Sequence, residues 1–122
     1  MKTPKKTLVL GASDNPSRYS NLAIQRLRGL GHPVVAVGRK QCCVRDVDIT
    51  KDHEKFTDVD TVTLYLNPEN QREYYDYILE LNPKRIIFNP GTENEELENL
   101  ANSKGIVTQD ACTLVLLTTG QY

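Results

Sequence analysis

The 122-residue sequence lacks most of the features that mark a specialised class of protein. No apolar run approaches the roughly 20 residues needed to span a bilayer. The opening residues lead into a strand rather than a secretory leader. A cytoplasmic protein with no membrane partner is therefore expected. Three cysteines, adjacent at Cys42 and Cys43 and distant at Cys112, do not make a disulfide framework. They also lack the Cys-x-x-Cys spacing of a redox pair or zinc knuckle, so no metal site is expected. Charge of one sign is missing too. Fifteen basic and 16 acidic residues leave a formal net charge of -1, too little to gather nucleic acid. The short basic cluster Lys2, Lys5 and Lys6 reads as a solvated, frayed start rather than an interaction tail.

What the chain does contain is an alternation of strand-like and helix-like segments, with enough apolar residues (39%) for one small core. Thr7 to Leu10, Val34 to Val37, Thr61 to Leu66, Arg85 to Phe88 and Ile106 to Thr108 read as five principal strands. Between the first two, Ala23, Leu27 and Leu30 form one helical face, with Ser20 as the expected N-cap. Asn67-Pro68-Glu69 opens a second helix with a capping Asn, a Pro at the first position and an acid in the first turn. Its inner stripe is Tyr74, Tyr77, Ile78 and Leu81. Thr92-Glu93-Asn94-Glu95 matches a capping box before a third helix carrying Leu97, Leu100 and Ala101. The stretch from Arg39 to Asp60 is less regular, with a short extended piece at Val44 to Ile49 and one or two helical turns at Asp52 to Phe56. The tail from Ala111 to Leu117 is apolar enough to pack, as helix or as strand.

Val-, Ile- and Leu-rich strands separated by amphipathic helices predict a single α/β domain over residues 1–122. Its form would be a three-layer, doubly wound parallel sheet ordered 3-2-1-4-5. No hairpin turn stands between the principal strands, which weighs against an antiparallel sheet. In a doubly wound fold, ligands collect beyond the C-terminal strand ends where the strand order reverses. That rule gathers the loops Gly11 to Asn21, Gly38 to Lys40, Asn67 to Asn70, Asn89 to Thr92 and Asp110 to Cys112.

The first of these loops opens a helix, where free backbone N–H groups suit phosphate oxygens. Gly11 permits close backbone approach, Ser13, Ser17, Ser20 and Asn21 offer hydrogen-bonding groups, and Arg18 offers charge. Its single glycine fits neither Gly-x-Gly-x-x-Gly nor the Gly-x-x-x-x-Gly-Lys-Ser/Thr of triphosphate binders. After the second strand stand Gly38, Arg39 and Lys40, in place of the acid that accepts from the ribose of NAD. Two cations there favour a phosphate on the adenosine ribose, as in NADP or coenzyme A. The alternative is a solvated basic turn. Glu93, Glu95 and Glu96 already match the third helix's dipole. The Asn89-Pro90-Gly91-Thr92 turn is therefore assigned to shape or neutral hydrogen bonding.

Taken in order, several segments resemble the small single-domain members of the CoA-binding domain family. They are also similar to the N-terminal nucleotide-binding domain of the succinyl-CoA synthetase alpha subunit. The matching segments are Val9-Leu10-Gly11-Ala12-Ser13, the turn after Val34 to Val37, and Asp60 to Leu66 before Asn67-Pro68. Asn89-Pro90-Gly91 with Asn94-Glu95 and Asp110-Ala111-Cys112 extend the match, which runs from about Lys6 to about Leu114. The resemblance implies a Rossmann-like domain that binds coenzyme A or a related adenine nucleotide. It would set Gly11, Ala12 and Ser13 beside the pyrophosphate and Gly38, Arg39 and Lys40 near the ribose. Asn67 and Pro68 would flank the next part of the cleft. The chain departs from the family pattern in having Gly38-Arg39 where relatives commonly have Asn-Pro.

Catalytic groups are sparse. His32 lies before the second strand, at the end opposite the expected cleft, and His53 lies in the irregular segment. Cys112 follows the fifth strand near the ligand edge but has no base in a recognisable constellation, so it reads as a small buried hydrophobe. The expected function is non-catalytic binding of coenzyme A or a related adenine nucleotide. Two alternatives stand beside it: an NADP-dependent reductase, and an interaction or structural module without a ligand. A homodimer is compatible with the sequence but does not follow from it.

Overall fold

The computed structural model describes residues 3–122; Lys2 lies outside the described residues. Strand β1 (Thr7–Ala12) leads into helix α1 (Tyr19–Gly29) and β2 (Val34–Gly38). A hairpin of β3 (Cys42–Val44) and β4 (Val47–Thr50) follows, then β5 (Thr61–Leu64). Helix α2 (Pro68–Gln71) continues through a 3-10 turn (Arg72–Tyr74) into α3 (Tyr75–Leu81). The chain ends with β6 (Arg85–Phe88), α4 (Glu95–Ser103), β7 (Val107–Asp110) and α5 (Thr113–Thr118).

One seven-stranded sheet has the order β3-β4-β2-β1-β5-β6-β7, and every pairing is parallel except β3 with β4. Alternate strand residues feed two cores, because successive side chains point to opposite faces. Leu8, Leu10, Leu64, Ile86 and Phe88 pack with Ile78, Leu97 and Ala101 on the α3/α4 face. Val9, Ala36, Ile49 and Ile87 pack with Ile24, Leu27 and Leu116 on the α1/α5 face. The doubly wound, Rossmann-like α/β class is thus the observed one.

The strand order differs in detail from the expected 3-2-1-4-5. The Thr61 strand pairs with β1 rather than lying outside β2, matching Thr7 with Thr61 and Leu10 with Leu64. The place beyond β2 belongs to β4, through Ala36 with Ile49 and Val37 with Thr50. β4 in turn carries the hairpin partner β3, with Val44 opposite Val47. That two-residue turn, Arg45-Asp46, contains no glycine or asparagine. Arg45 nevertheless adopts φ 55°, and Asp46 takes a bidentate contact from Arg28. A tertiary ion pair thus supports a turn that local composition does not announce.

Other local expectations are corrected. Arg18 rather than Ser20 is the N-cap of α1, while Ser20 is buried. Asn94, not Thr92, caps α4 by accepting from the Leu97 N–H. Thr92 is instead buried, with its hydroxyl donating to the Asn89 carbonyl at 2.8 Å. Residues 52–56 form no helix, and the apolar tail resolves into α5. Lys5 and Lys6 are tied down rather than frayed: their ammonium groups donate to the Tyr122 and Thr57 carbonyls, each at 2.6 Å.

Candidate functional site at the C-terminal edge of the sheet

Because the pairings of β2, β1, β5, β6 and β7 are parallel, the loops following these strands share one edge. The reversal of direction falls at β1: α1 covers one face, whereas α2 and α3, after β5, cover the other. This assembles the loops beginning at Gly11, Gly38, Asn67, Asn89 and Asp110 at a single rim.

Both central glycines answer first to the protein itself. Gly11 has φ +93°, and a Cβ there would lie 3.0 Å from the Tyr65 carbonyl carbon and 3.1 Å from Leu66 Cγ. At Gly38 a Cβ would meet the Ala12 oxygen at 2.3 Å. Gly38 is thus the residue that lets β2 close against the end of β1, where the register shifts between Leu10 and Ala12. Ala12 is buried in the α1/α5 core.

The rest of the first loop folds on itself. The Ser13 hydroxyl accepts from the Asn15 N–H at 3.0 Å, and Asn15 Oδ1 accepts from both the Ser17 N–H and the Ser17 hydroxyl. Asn21 is buried, donates to the Ser13 carbonyl at 3.1 Å and accepts from Gln25. Its amide therefore shapes the loop rather than facing outward. Lys40 reaches back to Asp14 at 3.2 Å, bridging the first two loops across the surface. Arg39 is exposed and forms no ion pair among the described residues. It lies near enough to oppose the rise that burial and Glu73 impose on the Tyr74 phenol.

The helix starts at this rim differ sharply. α2 is capped by Asn67 Oδ1, which accepts from the Asn70 N–H at 2.9 Å, and has Glu69 in its first turn. α4 is capped by Asn94 and carries Glu95, Glu96 and Glu98. α1 has no side-chain cap and no acid in its first turn; Arg18 stands at its cap position. Its first N–H groups and the positive end of its dipole are left uncompensated by side chains. Asn67 and Pro68 sit where the sequence places them, as cap and first residue of α2.

Asn89 is a structural node. It is buried, donates to Thr63 Oγ1 at 2.7 Å and the Leu64 carbonyl at 2.8 Å, and accepts from the Thr113 N–H at 2.9 Å. One amide thereby links β5, β6 and α5. Pro90 and Gly91 are exposed beside it, with Gly91 at φ +90° and its N–H donating to Glu93 Oε1. Next to this node burial pushes the Tyr65 phenol up to about 12, against the hydrogen bonds from Thr113 and Thr63.

Sequence reasoning missed Gln71. It is fully buried, donates to the Leu66 and Thr92 carbonyls at 2.8 Å each, and accepts from Asn94 Nδ2 at 2.9 Å. The signal was faint: one Gln among the polar residues that open a helix. His32 lies at the opposite end of the sheet, as expected, where its Nδ1 accepts from the Lys5 N–H at 2.9 Å. Cys112 is only half-buried and stands at the cap position of α5. Burial and then Asp14 push the Cys42 thiol up, away from thiolate chemistry. No group of three or more His, Cys, Asp or Glu side chains suited to a metal ion occurs among the described residues. No helix there is long and apolar enough to cross a membrane.

Comparison with known proteins places these features in a family. Residues 5–118 match the family model described as CoA binding domain. The crystal structure of an uncharacterized protein is 50% identical, covering 99% of this chain and all of its own, with a TM-score of 0.96. A hypothetical protein from Pyrococcus horikoshii OT3 is 25% identical over 92% of this chain and 80% of its own, with a TM-score of 0.81. At the level of fold alone, the chain is similar to a dinucleotide-forming acetyl-coenzyme A synthetase 1 from Ca. Korarchaeum cryptofilum. That likeness is 19% identical, covers 88% of this chain and 26% of the synthetase, and has a TM-score of 0.71. No curated protein matches the sequence.

Proposed function

The chain belongs to the CoA-binding-domain family, and from that premise we propose that it binds coenzyme A at the C-terminal edge of the sheet without a catalytic task of its own. The observation that carries the reading is the start of α1, which lacks both a side-chain cap and an acid while its neighbours α2 and α4 have both. An anion is stabilised at such an N-terminus by N–H groups and the helix dipole. In this reading the pyrophosphate lies along Gly11, Ala12 and Ser13, with Arg18 beside it. Gly38, Arg39 and Lys40 take the ribose phosphate, and Arg39 supplies the cation because Lys40 is engaged by Asp14. Asn67 and Pro68 wall the next part of the cleft. Asn89, Pro90 and Gly91 set its shape, and Ser20 and Asn21 support the loop from within.

The test is a calorimetric titration with coenzyme A, its 3′-dephospho form and NADP. Coenzyme A is expected to bind saturably and about tenfold more tightly than the dephospho form, as one charge-assisted contact provides. Arg39→Gln should remove that difference while leaving dephospho-coenzyme A affinity nearly unchanged. Failure of coenzyme A to bind at millimolar concentration overturns the reading. Tighter binding of NADP would move the ligand class to dinucleotides. A ligand-free interaction module is the competing reading. It is favoured by the internal contacts that already require Gly11 and Gly38 to be glycine.

A further inference from the structure

Between the starts of α2 and α4 lies a cavity of about 330 Å3, lined by Pro68, Glu69, Arg72, Tyr75, Asn94 and Glu96. No residue of the β1–α1 loop or of the β2 turn contributes to it. Its floor is tied inward by hydrogen bonds. The Tyr75 hydroxyl donates to Glu96 Oε1 at 2.9 Å and accepts from Asn94 Nδ2 at 2.8 Å. Asn94 in turn donates to Gln71 Oε1, whose own amide is fully buried between two backbone carbonyls. The Glu96 carboxylate is therefore held at the cavity by a chain of hydrogen bonds anchored in the core. Positioned polar groups of this kind are what a binding site needs.

The charges do not cancel one another locally. Glu69 and Arg72 are three residues apart in sequence, a spacing at which helical acid and base commonly pair. Yet Arg72, Glu69 and Glu96 form no ion pair among the described residues. One cation and two carboxylates, all on exposed residues, thus line a small half-open cavity without an ion-pair partner. A simple anion would meet a net negative wall, and a simple cation would leave the guanidinium unmatched. A ligand carrying both an ammonium and a carboxylate group satisfies both sides by charge-assisted hydrogen bonds. The Tyr75 ring and Pro68 offer apolar surface to whatever the ligand carries between or beside those groups.

We propose that this cavity is a site for a small zwitterion of the α-amino acid class, with Arg72 receiving its carboxylate and Glu96, supported by Glu69, receiving its ammonium. The site lies apart from the glycine loop and shares only Pro68 with the proposed coenzyme A cleft, and its occupation does not require coenzyme A. The experiment is amide NMR titration of the full chain with the natural L-amino acids, and with propionate and propylamine as half-ligands. At least one amino acid is expected to give saturable shifts at residues 69–75 and 94–96. Each half-ligand should bind about tenfold more weakly or worse. Arg72→Gln and Glu96→Gln should each weaken the amino acid by a similar factor. The Gln at position 96 keeps an acceptor for Tyr75, so the floor is retained, and unchanged spectra elsewhere verify the fold. The proposal is overturned if no amino acid gives saturable shifts there, if a half-ligand binds as well as the zwitterion, or if neither substitution weakens binding. Shifts confined to Gly11 and Arg39 would likewise overturn it, while leaving the coenzyme A reading intact.

Discussion

At Gly38 one hydrogen atom in place of a methyl group decides whether two strands can meet. A Cβ there would approach the Ala12 oxygen at 2.3 Å and Ile49 Cγ2 at 3.0 Å, and the nearer contact is backbone that cannot rotate away. Gly38→Ala is therefore expected to destabilise the fold by about 2–3 kcal/mol, the upper part of the usual cost of overpacking. At about 4 °C per kcal/mol for a domain of this size, the melting temperature should fall by roughly 10 °C. Thermal denaturation followed by circular dichroism measures it, and a fall under about 3 °C would mean that the β1 end shifts freely. Gly91, by contrast, has nothing within 4 Å of its would-be Cβ, and its requirement is the positive φ alone.

At the scale of elements, Asn67 and Asn94 close α2 and α4 with their own side chains, whereas α1, α3 and α5 have no side-chain cap. Asn94 closes α4 and simultaneously joins it to α2 through Gln71 and to α3 through Tyr75. Asn94→Ala should thus cost more than the roughly 1 kcal/mol of an ordinary N-cap, about 2 kcal/mol in urea denaturation. Loss of a cap-sized increment only would show that the Gln71 and Tyr75 contacts contribute little. Asn67 and Asn94 were both visible in the sequence as polar residues before apolar-periodic runs. Only Asn67 takes the role that its local sequence indicates, because Pro68 fixes the register of the first turn. The Thr92-x-x-Glu95 pattern was a false capping box. Burial drew Thr92 into the Asn89 turn and shifted the helix start by two residues.

At the scale of the whole molecule, residues far apart in sequence lock the N-terminal edge of the sheet. Tyr122 is buried there, with its hydroxyl bonded to Thr7, His32 against its ring at 5.1 Å and the Arg85 guanidinium 4.5 Å from the ring centroid. Burial, then Lys5 and Arg85, hold the His32 imidazole below its ordinary value of 6.5, with Asp60 acting in the opposite sense. Protonation would also break the hydrogen bond from the Lys5 N–H to Nδ1. The unfolded chain takes up the proton first as pH falls through 6.5, so the stability held by neutral His32 is present above that pH and is lost below it. Chemical denaturation at pH 7.5 and pH 5 should show lower stability at pH 5. His32→Asn, which keeps a neutral acceptor, should flatten that slope, and an unchanged slope in the variant would remove His32 as its source.

The sequence by itself determined the α/β class, most strand positions, the gathering of five loops at one edge and the absence of standard glycine-rich nucleotide motifs. Those features follow from local periodicity, from glycine and proline as stops, and from the geometry that parallel strands impose. Only the tertiary structure decided that the Thr61 strand lies beside β1 and that a hairpin takes the edge beyond β2. Strand neighbours are chosen by the fit of distant faces, and the Arg28–Asp46 pair that supports the hairpin turn joins residues 18 positions apart. The same holds at the rim: burial turns the Asn21 and Asn89 amides inward, where they hold the loops together. Arg39 stayed at the surface without an ion pair among the described residues, and the start of α1 stayed without a side-chain cap.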